Sequence, residues 1–512
     1  MRTLKHIVKN AAAAVVRFFA RITVRFGSIF NHDGSSRNPA GKGTGNAARP
    51  RKRLVDGVDA DRFTRLCVVL VVGFVTLIGA ILLSAAVHSG SREIPVDSQN
   101  VEDTPDGLTL SIGGDIMPTQ DMMDSALGDG GYNFNNYLSE LSGTLSGDLT
   151  VAGLCGQIDI HGKDRHVGGF DNGMNYPDAL AEAMTATGIH YVMGANRYAF
   201  ANGYDAMCDS ISNLHTHSVG VVGLTRNDAR KLNTGVVRRG GISVGLAGYN
   251  CVDSEEYHAL TNEQKTYIAQ TEKDADVLAE RAKADIAAMR GSGAEFIVIC
   301  VNWGGAGSLE PSDFIKDAAK KLAAAGADVV VGYGPYVPME AEIVTDTGGA
   351  AEKECYVFYS LGVLYGDNHY TGKTLTKLSK IKNPSDAQKK QLKAEQKKAA
   401  AAEKAMSRSM TVSLKLTRAK NGSITVESAS YSPIFLVKNP TQGEENAHLK
   451  YMAVEAARYI AAEERPAIFA DDRQWQLCRE AVTAIGQLTD KAGGKLVLAG
   501  AVSEDGETDT KI

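Results

Sequence analysis

The stretch VVVGYGPYVPMEAEI, residues 329–343, joins an apolar run to a segment rich in glycine, tyrosine and proline. A short run of β-branched residues that ends at turn-forming residues is typical of a buried strand. Gly332 and Pro335 predict a tight turn at the end of that strand. The stretch therefore predicts a strand that carries Tyr333 and Tyr336 to one end of a sheet.

Other apolar runs of this kind are separated by helix-like segments. This alternation is typical of an α/β protein. Helices are expected over 175–188 and 311–327, the second starting at Pro311 and Ser312. Asn421-Gly422 lies between two alternating runs in 409–434 and predicts a β-hairpin. The predicted strands, including the one at the start of the opening stretch, are 108–114, 148–154, 190–194, 219–224, 241–249, 295–303, 327–334 and 355–362.

The flanking segments differ in composition. Residues 371–407 are rich in Lys and Ala and predict an exposed insertion helix, or alternatively a basic contact for an anionic polymer or lipid head groups. Residues 441–512 predict two helices, at 453–464 and 475–488, followed by a polar tail. The main domain is therefore expected over 108–440.

The first ninety residues predict attachment to a membrane. LCVVLVVGFVTLIGAILLSAAV, from residue 66, has no charged residue and is long enough to cross a bilayer, so a transmembrane helix is expected over 66–88. The excess of Lys and Arg in residues 1–65 places that side in the cytoplasm. A cleaved signal sequence is the alternative. Residues 89–107 are expected to form a polar stalk, and the main domain is expected outside the cytoplasm at the cell membrane.

Overall charge and cysteine content exclude some functions. The chain has 512 residues and a net charge of −5, which disfavours binding to nucleic acid. The seven cysteines form no CxxC pair, so no zinc-ribbon or redox motif is expected.

Six short motifs in chain order resemble those of the CapA family, which comprises membrane-associated proteins of poly-γ-glutamate capsule biosynthesis. The family's GDIML is similar to SIGGDIMPT, which begins at residue 111, and its NLEGP is similar to DLTVAGLCGQI, from residue 148. Its ANNHxxDxG is similar to GANRYAFANG, from residue 194, and its HWG to NWGGAGSLEP, from residue 302. Its GHHPHV is similar to GADVVVGYGPYV, from residue 326, and its YSLGNF to YSLGVL, from residue 359. The resemblance implies an α/β metallophosphatase-like sandwich of two sheets flanked by helices, over about residues 109–440.

The family's metal-ligand positions are mostly replaced. Asp115 stands where the family has its first metal-ligand-like aspartate, and Asn196 is retained. Cys155 replaces an acid, and Asn302 replaces a histidine. The remaining replacements are Arg197, Tyr198, Ala201, Tyr333, Gly334 and Tyr336. Neutral amides and phenols are weak ligands for a divalent metal at pH 7. Asp115 has a second interpretation, as a turn residue that accepts hydrogen bonds from backbone amides.

The resemblance implies two competing functions. In the first, catalysis and metal are lost and the crevice binds an anionic cell-surface polymer or capsule-assembly membrane proteins. Its expected lining is Arg197, Tyr198, Trp303, Tyr333 and Tyr336. In the second, a metal-dependent hydrolase uses Mn, Fe or Zn at an altered site built on Asp115, Asn196 and Asn302. Cys155 could serve there as a nucleophile only with a general base nearby.

Other residues could contribute to a metal site outside these motifs. The candidates are Asp159, His161, Asp164 and His166 in a glycine-rich loop, the pair His215 and His217 before a strand, and His369. If extended, the pair would point the same way. Scattered loop histidines are more often simply exposed residues.

Overall fold

The computed structural model describes residues 96–98, 107–159, 167–170, 172–226, 234–346, 353–367, 373–439 and 450–500. The predicted cytoplasmic region, the predicted membrane helix and most of the stalk lie outside these ranges. Within the described ranges, no helix combines the length and apolar character needed to cross a membrane.

The strands are numbered in chain order. They are β1 (Val96–Ser98), β2 (Gly107–Ile116), β3 (Leu127–Gly128), β4 (Gly131–Tyr132), β5 (Leu149–Leu154), β6 (Tyr191–Met193), β7 (Gly220–Val222), β8 (Thr234–Arg239), β9 (Ile242–Asn250), β10 (Phe296–Asn302), β11 (Val329–Tyr333), β12 (Ala341–Asp346), β13 (Lys353–Phe358), β14 (Val363–Tyr365), β15 (Arg408–Arg418), β16 (Ile424–Lys438), β17 (Tyr451–Glu455) and β18 (Leu496–Leu498).

The α-helices follow the same convention. They are α1 (Gln120–Ala126), α2 (Asn135–Leu138), α3 (Asp178–Thr187), α4 (Tyr204–Thr216), α5 (Glu255–His258), α6 (Ala275–Gly291), α7 (Asp313–Ala324), α8 (Lys373–Ser379), α9 (Asp386–Met406) and α10 (Asp472–Thr489).

The first sheet contains the opening stretch in its parallel centre. Its strand order is β1-β8-β9-β10-β11-β13-β12. Strands β9, β10, β11 and β13 are parallel. Strand β8 is antiparallel to β9 and parallel to β1, and β12 is antiparallel to β13. The carboxyl ends of β10 and β11 therefore lie side by side, with Asn302 in register with Tyr333.

The second sheet has the order β17-β16-β15-β2-β5-β6-β7, with β14 added beside β2 and β18 beside β16. Strands β2, β5, β6 and β7 are parallel. Strand β15 joins β2 to β16 with antiparallel pairing on both sides. Asp115, near the end of β2, is in register with Gly153 of β5.

The main core lies between the two sheets. It contains apolar side chains from β2 and β15 of one sheet and from β9, β10 and β11 of the other. Helices α6 and α7 cover the outer face of the first sheet, and α1, α2 and α3 cover the outer face of the second. The expected α/β sandwich of two sheets flanked by helices is confirmed at this level.

Most predicted elements are present. All eight predicted strands form, and so do the helices expected over 175–188 and 311–327. The side chain of Ser312 accepts a hydrogen bond from the backbone N–H of Ile315 and so caps α7. Asn421-Gly422 lies between β15 and β16, so the hairpin is confirmed. Gly332, however, is a residue of β11 and not of the turn behind it.

The prediction of a helix over 453–464 is wrong. Its first residues belong to β17, which pairs antiparallel with β16, and a 3-10 turn follows at Ala456–Tyr459. Met452, Ala453 and Val454 are buried at this edge of the sheet, so tertiary packing outweighs the helical propensity of alanine. The second C-terminal helix forms as α10, and β18 then returns to β16. The second sheet therefore extends beyond residue 440.

Candidate functional site

The motif residues meet where the carboxyl ends of β2 and β5 face those of β10 and β11. Gly334, directly after β11, donates its backbone N–H to Oδ2 of Asp115 at 3.2 Å. This hydrogen bond joins the two sheets. The crevice at the ends of the strands is where open α/β sheets bind ligands, which makes this region the candidate site.

Asp115 is a buried carboxyl group, 3% exposed. Its Oδ1 accepts a hydrogen bond from the thiol of Cys155 at 3.5 Å, and its Oδ2 accepts the one from Gly334. Burial raises the pKa of Asp115 from its ordinary value of 3.8 to about 7, although the Gly334 and Cys155 hydrogen bonds act in the opposite direction. The carboxyl group therefore keeps its proton at pH values where an exposed aspartate has lost it.

The backbone around Asp115 depends on close packing against the segment before β14. The N–H of Asp115 donates to the carbonyl oxygen of Gly362 at 3.0 Å. A Cβ atom on the preceding Gly114 would lie 2.1 Å from that same oxygen. Glycine at 114 therefore allows this segment to approach β2 and hold Asp115 in place.

Cys155 connects the carboxyl group to an aromatic side chain. The thiol is 1% exposed and lies 3.7 Å from the hydroxyl of Tyr336 as well as against Asp115. Burial, followed by the nearby Asp115 charge, raises the pKa of Cys155 well above its ordinary value. A protonated thiol is a hydrogen-bond donor and a poor nucleophile. The geometry does not favour Cys155 as an attacking group.

Tyr333 and Tyr336 fill the crevice from the β11 side. They are 2% and 5% exposed, and the hydroxyl of Tyr333 donates to the carbonyl oxygen of Gly113 at 3.3 Å. Burial raises the pKa of both phenols well above the ordinary value, so neither is ionised at neutral pH. Tyr336 has a φ of 61°, a conformation that costs a non-glycine residue about 1 kcal/mol or more.

Asn196 and Asn302 use their side chains to fix the local backbone. The amide of Asn196 donates to the carbonyl oxygens of Leu154 and Gly194 at 2.7 and 2.9 Å, and its oxygen accepts from the N–H of Tyr198. The oxygen of Asn302 accepts from the N–H of Gly304 at 3.2 Å. Both asparagines are buried. These contacts are structural and compete with any ligand for the amide oxygens.

The mouth of the crevice is formed by Arg197, Tyr198 and Phe170. Arg197 is exposed, and its guanidinium carbon lies 4.9 Å from the centre of the Tyr198 ring. Phe170 makes edge contacts with Tyr198 and Tyr336, with ring centres 5.5 and 6.1 Å apart. A continuous set of contacts therefore runs from the surface at Arg197 to the buried Asp115.

Trp303 does not belong to this lining. It is 1% exposed, its indole N–H donates to the carbonyl oxygen of Tyr359 at 3.0 Å, and its ring packs against Gly332. It belongs to the apolar core on the other face of the first sheet. The expected open cleft would expose Trp303, Tyr333 and Tyr336, whereas all three are buried. Of the five expected lining residues, only Arg197 and Tyr198 reach the surface.

The additional histidine candidates do not gather at the site where the structure describes them. His215 is exposed in the last turn of α4, and His217 is the residue that ends this helix, so the pair does not lie in an extended segment. The backbone of Asp159 exchanges two hydrogen bonds with the side chain of Asn175. The remaining candidates, His161, Asp164, His166 and His369, lie outside the described residues.

The described residues do not fit a divalent metal centre at this position. Among the described motif residues, Asp115 is the one carboxyl group that lies at this position, and both of its oxygens already accept hydrogen bonds. Within the described ranges, no three His, Cys, Asp or Glu side chains are grouped so that they could hold a metal ion. Two neutral amides, two un-ionised phenols and a protonated thiol do not supply the anionic ligand set that two-metal hydrolysis requires.

Comparison with known protein families confirms the resemblance to the CapA family. Residues 109–368, about half of the chain, match the family model of the bacterial capsule synthesis protein PGA_cap. The chain belongs to this family. The matched region contains nearly all of β2, the whole of β5, β6, β7, β9, β10, β11 and β13, and every residue of the candidate site described above.

One relative of the chain is the PGA biosynthesis protein CapA of Bacillus subtilis (strain 168). It is 25% identical over 179 residues, which is 35% of this chain and 42% of the relative. The match therefore spans less than half the length of that protein.

Two solved structures are similar at a low level. The NAD nucleotidase of Haemophilus influenzae aligns with a TM-score of 0.35 and 10% identity, over 78% of this chain and 65% of that one. A hypothetical protein from Thermus thermophilus aligns with a TM-score of 0.31 and 13% identity, over 64% of this chain and 97% of that one. TM-scores this low do not establish a shared fold.

Sequence reasoning missed two contributors to the site. One is the backbone N–H of Gly334, because a motif comparison considers side chains and position 334 has none. The other is Phe170, which follows two glycines in the loop after β5. An aromatic residue directly after Gly-Gly near a motif is a weak signal, but it could have suggested a ring that closes the crevice.

Proposed function

We propose that this chain contributes to the assembly of a capsule of the poly-γ-glutamate type, or of another cell-surface polymer, by binding the polymer or a partner protein without metal-dependent catalysis. Membership of the PGA_cap family and the CapA relative support the link to capsule synthesis. The loss of catalysis and the binding role are inferred from the site.

The observation that carries the proposal is the set of hydrogen bonds that Asp115 makes within the protein. Both of its oxygens accept hydrogen bonds from within the protein, and Cys155 and Tyr336 occupy the space beside it. A catalytic metal would have to replace these contacts and remove a proton from a carboxyl group whose pKa is raised by burial. The residues instead form a closed, hydrogen-bonded interior.

The exposed residues at the mouth of the crevice are suited to binding an anionic polymer. Arg197 presents a planar guanidinium that can bind a carboxylate through two parallel hydrogen bonds. Its stacking on Tyr198 restrains the side chain, so less conformational entropy is lost when it binds. Phe170 supports Tyr198 from the side. A polymer with repeated carboxylates is the class of ligand that fits this arrangement.

The proposal includes attachment to the cell membrane through segment 66–88, with the main domain outside the cytoplasm. In this position the mouth would meet polymer as it is exported, or a membrane protein that assembles it. The apolar composition of the segment and the basic residues before it support this part of the proposal.

Complementation of a deletion strain tests the proposal. The strain receives the wild-type gene, Asp115→Asn, the double variant Arg197→Gln/Tyr198→Ala, or Arg479→Gln. Arg479 is a matched control because it is also exposed and stacked on an aromatic ring, Trp475, at 5.1 Å. Capsule polymer per cell is measured together with the amount of each protein.

We expect Asp115→Asn and Arg479→Gln to retain capsule, and the double variant to lose a large part of it at an unchanged protein level. If Asp115→Asn loses capsule as completely as the deletion while the protein remains folded and abundant, the binding proposal is wrong. That outcome would favour a hydrolase acting on an envelope polymer.

A further inference from the structure

Helices α8 and α9 form a strongly basic hairpin in a chain that is acidic overall. Residues 373–406 contain ten lysines and three acidic residues, whereas the whole chain has a net charge of −5. Helix α9 begins with a capping box in which Ser385 and Gln388 satisfy each other's backbone N–H groups. The hairpin therefore places a concentrated positive charge on a defined element.

The lysines of α9 lie mainly on one face. At 3.6 residues per turn, Lys389, Lys390, Lys393, Lys397 and Lys404 fall within about a third of the helix circumference. The opposite face packs on the protein through the buried residues Ala399, Ala402, Ala405 and Met406. The lysine face is about 22 Å long, since an α-helix rises about 1.5 Å per residue.

These five lysines differ in the ion pairs that they make with other described residues. Lys389 pairs with Asp386, and Lys404 pairs with Glu480. Lys390, Lys393 and Lys397 are exposed and, among the described residues, make no ion pair. We name these three residues the lysine track. Like charges at this spacing repel each other by a few tenths of a kcal/mol per pair, a cost that an anionic ligand would remove.

The hairpin ends beside the candidate site. Ala405 and Met406, in the last turn of α9, belong to the same apolar cluster as Cys155 and Tyr336, with Phe170 and Tyr198 packed against it. A ligand that lies along the lysine track would therefore approach the region of the crevice mouth. Arg197 would continue the series of positive charges.

We propose that the lysine track binds a carboxylate-rich polymer and guides it toward the crevice mouth. This inference rests on the proposed function and adds a second, separate binding surface to it. Repeated positive charges on one face match a chain with repeated carboxylates. The exposed side of α9 has no large apolar residue that could enter a bilayer, which favours a dissolved polymer over a lipid surface.

A matched pair of triple variants of the full-length chain tests the lysine track. The first is Lys390→Gln/Lys393→Gln/Lys397→Gln. The second is Lys283→Gln/Lys320→Gln/Lys420→Gln, which removes three exposed lysines, also without ion pairs among the described residues, from other elements. Both change the net charge equally, and glutamine keeps the helical propensity of lysine. Circular dichroism verifies the fold of each variant.

Binding to fluorescein-labelled poly-γ-glutamate is followed by fluorescence anisotropy over a range of salt concentrations. We expect the track variant to bind about tenfold more weakly at low salt, with a shallower salt dependence, and the control variant to bind as the wild type does. Vesicles of phosphatidylglycerol and phosphatidylcholine serve as the lipid probe, and we expect little binding to them.

The proposed role of the lysine track is disproved if the two variants weaken polymer binding equally, or if neither variant weakens it. It is also disproved if the track lysines are needed for vesicles and not for the polymer. In each case, polymer binding that still depends on Arg197 and Tyr198 would leave the proposed function intact. If the wild-type chain does not bind the polymer at all, both the track and the polymer-binding form of the proposed function fail.

Discussion

The backbone N–H of Gly334 donates a 3.2 Å hydrogen bond to Asp115, so the end of β11 in one sheet is tied to the end of β2 in the other. A Cβ atom at position 334 would lie 2.2 Å from the oxygen of Asn302, and the φ of Gly334 is 95°. Glycine is therefore required for this approach. The contact occurs where a catalytic crevice is expected to open, and it closes that crevice from within.

The stability of the fold should depend on the ionisation of Asp115. Its pKa is raised from 3.8 to about 7 by burial, so between these values the folded state holds a proton that the unfolded state releases. Wild-type stability should therefore fall as the pH rises from 5 to 8. Relative to Asp115→Asn, the expected loss is about 3 kcal/mol, since one pKa unit corresponds to about 1.4 kcal/mol. Urea unfolding of both proteins across this pH range measures it.

Other titrating groups are common to the wild type and Asp115→Asn, so they cancel in the difference. Parallel stability profiles from pH 5 to pH 8 would contradict the burial of this carboxyl group.

Substitution of Gly332 should destabilise the protein strongly. A Cβ atom there would lie 2.0 Å from the carbonyl oxygen of Tyr359 and 2.4 Å from the ring of Trp303. We expect Gly332→Ala to lower the free energy of unfolding by about 3 kcal/mol or more. Gly235→Ala, also in a strand but with nothing within 4 Å of the added atom, is the control and should change it little. Equal effects in urea unfolding would show that the packing around β11 is described wrongly.

Tyr336 should protect the thiol of Cys155. The two side chains are in contact, and Cys155 is 1% exposed. We expect Tyr336→Ala to increase the rate of alkylation of Cys155 by iodoacetamide, measured by mass spectrometry of the digested protein. Tyr336→Phe keeps the ring and should keep the labelling slow.

Cys300, which is fully buried between the sheets, is the internal control for this labelling experiment. Its alkylation should remain slow in all three proteins. If Tyr336→Ala leaves Cys155 as unreactive as Cys300, the ring does not close the crevice. A rise at both cysteines would instead indicate general unfolding.

Much of the fold could be predicted from the sequence because its strands are apolar, short and bounded by turn residues. The hairpin at Asn421-Gly422 is a local signal that the tertiary structure does not override. The helix prediction for 453–464 was wrong because the first residues of this alanine-rich segment pair with β16 at the edge of a sheet. This pairing is not local in sequence. The hydrophobic periodicity of one segment does not show which distant strand it will pair with.

The site was predicted only in part, for a similar reason. Motif order brought Asp115, Cys155, Tyr333 and Tyr336 to one place, as observed. It could not show that these side chains satisfy one another, since hydrogen bonding and burial depend on the distance between the two sheets. Trp303 was misplaced because the direction in which a strand-end side chain points depends on the turn that follows it, here Gly304 with a φ of 66°.

The most direct test of a crevice without a catalytic metal is the metal content of the chain. The full-length protein, without an affinity tag, is purified without chelator after growth with added manganese, iron and zinc, and is compared with Asp115→Asn by elemental analysis. We predict far less than one ion per chain in both proteins. One or two ions per wild-type chain that disappear in folded Asp115→Asn would contradict the account and place a metal at Asp115.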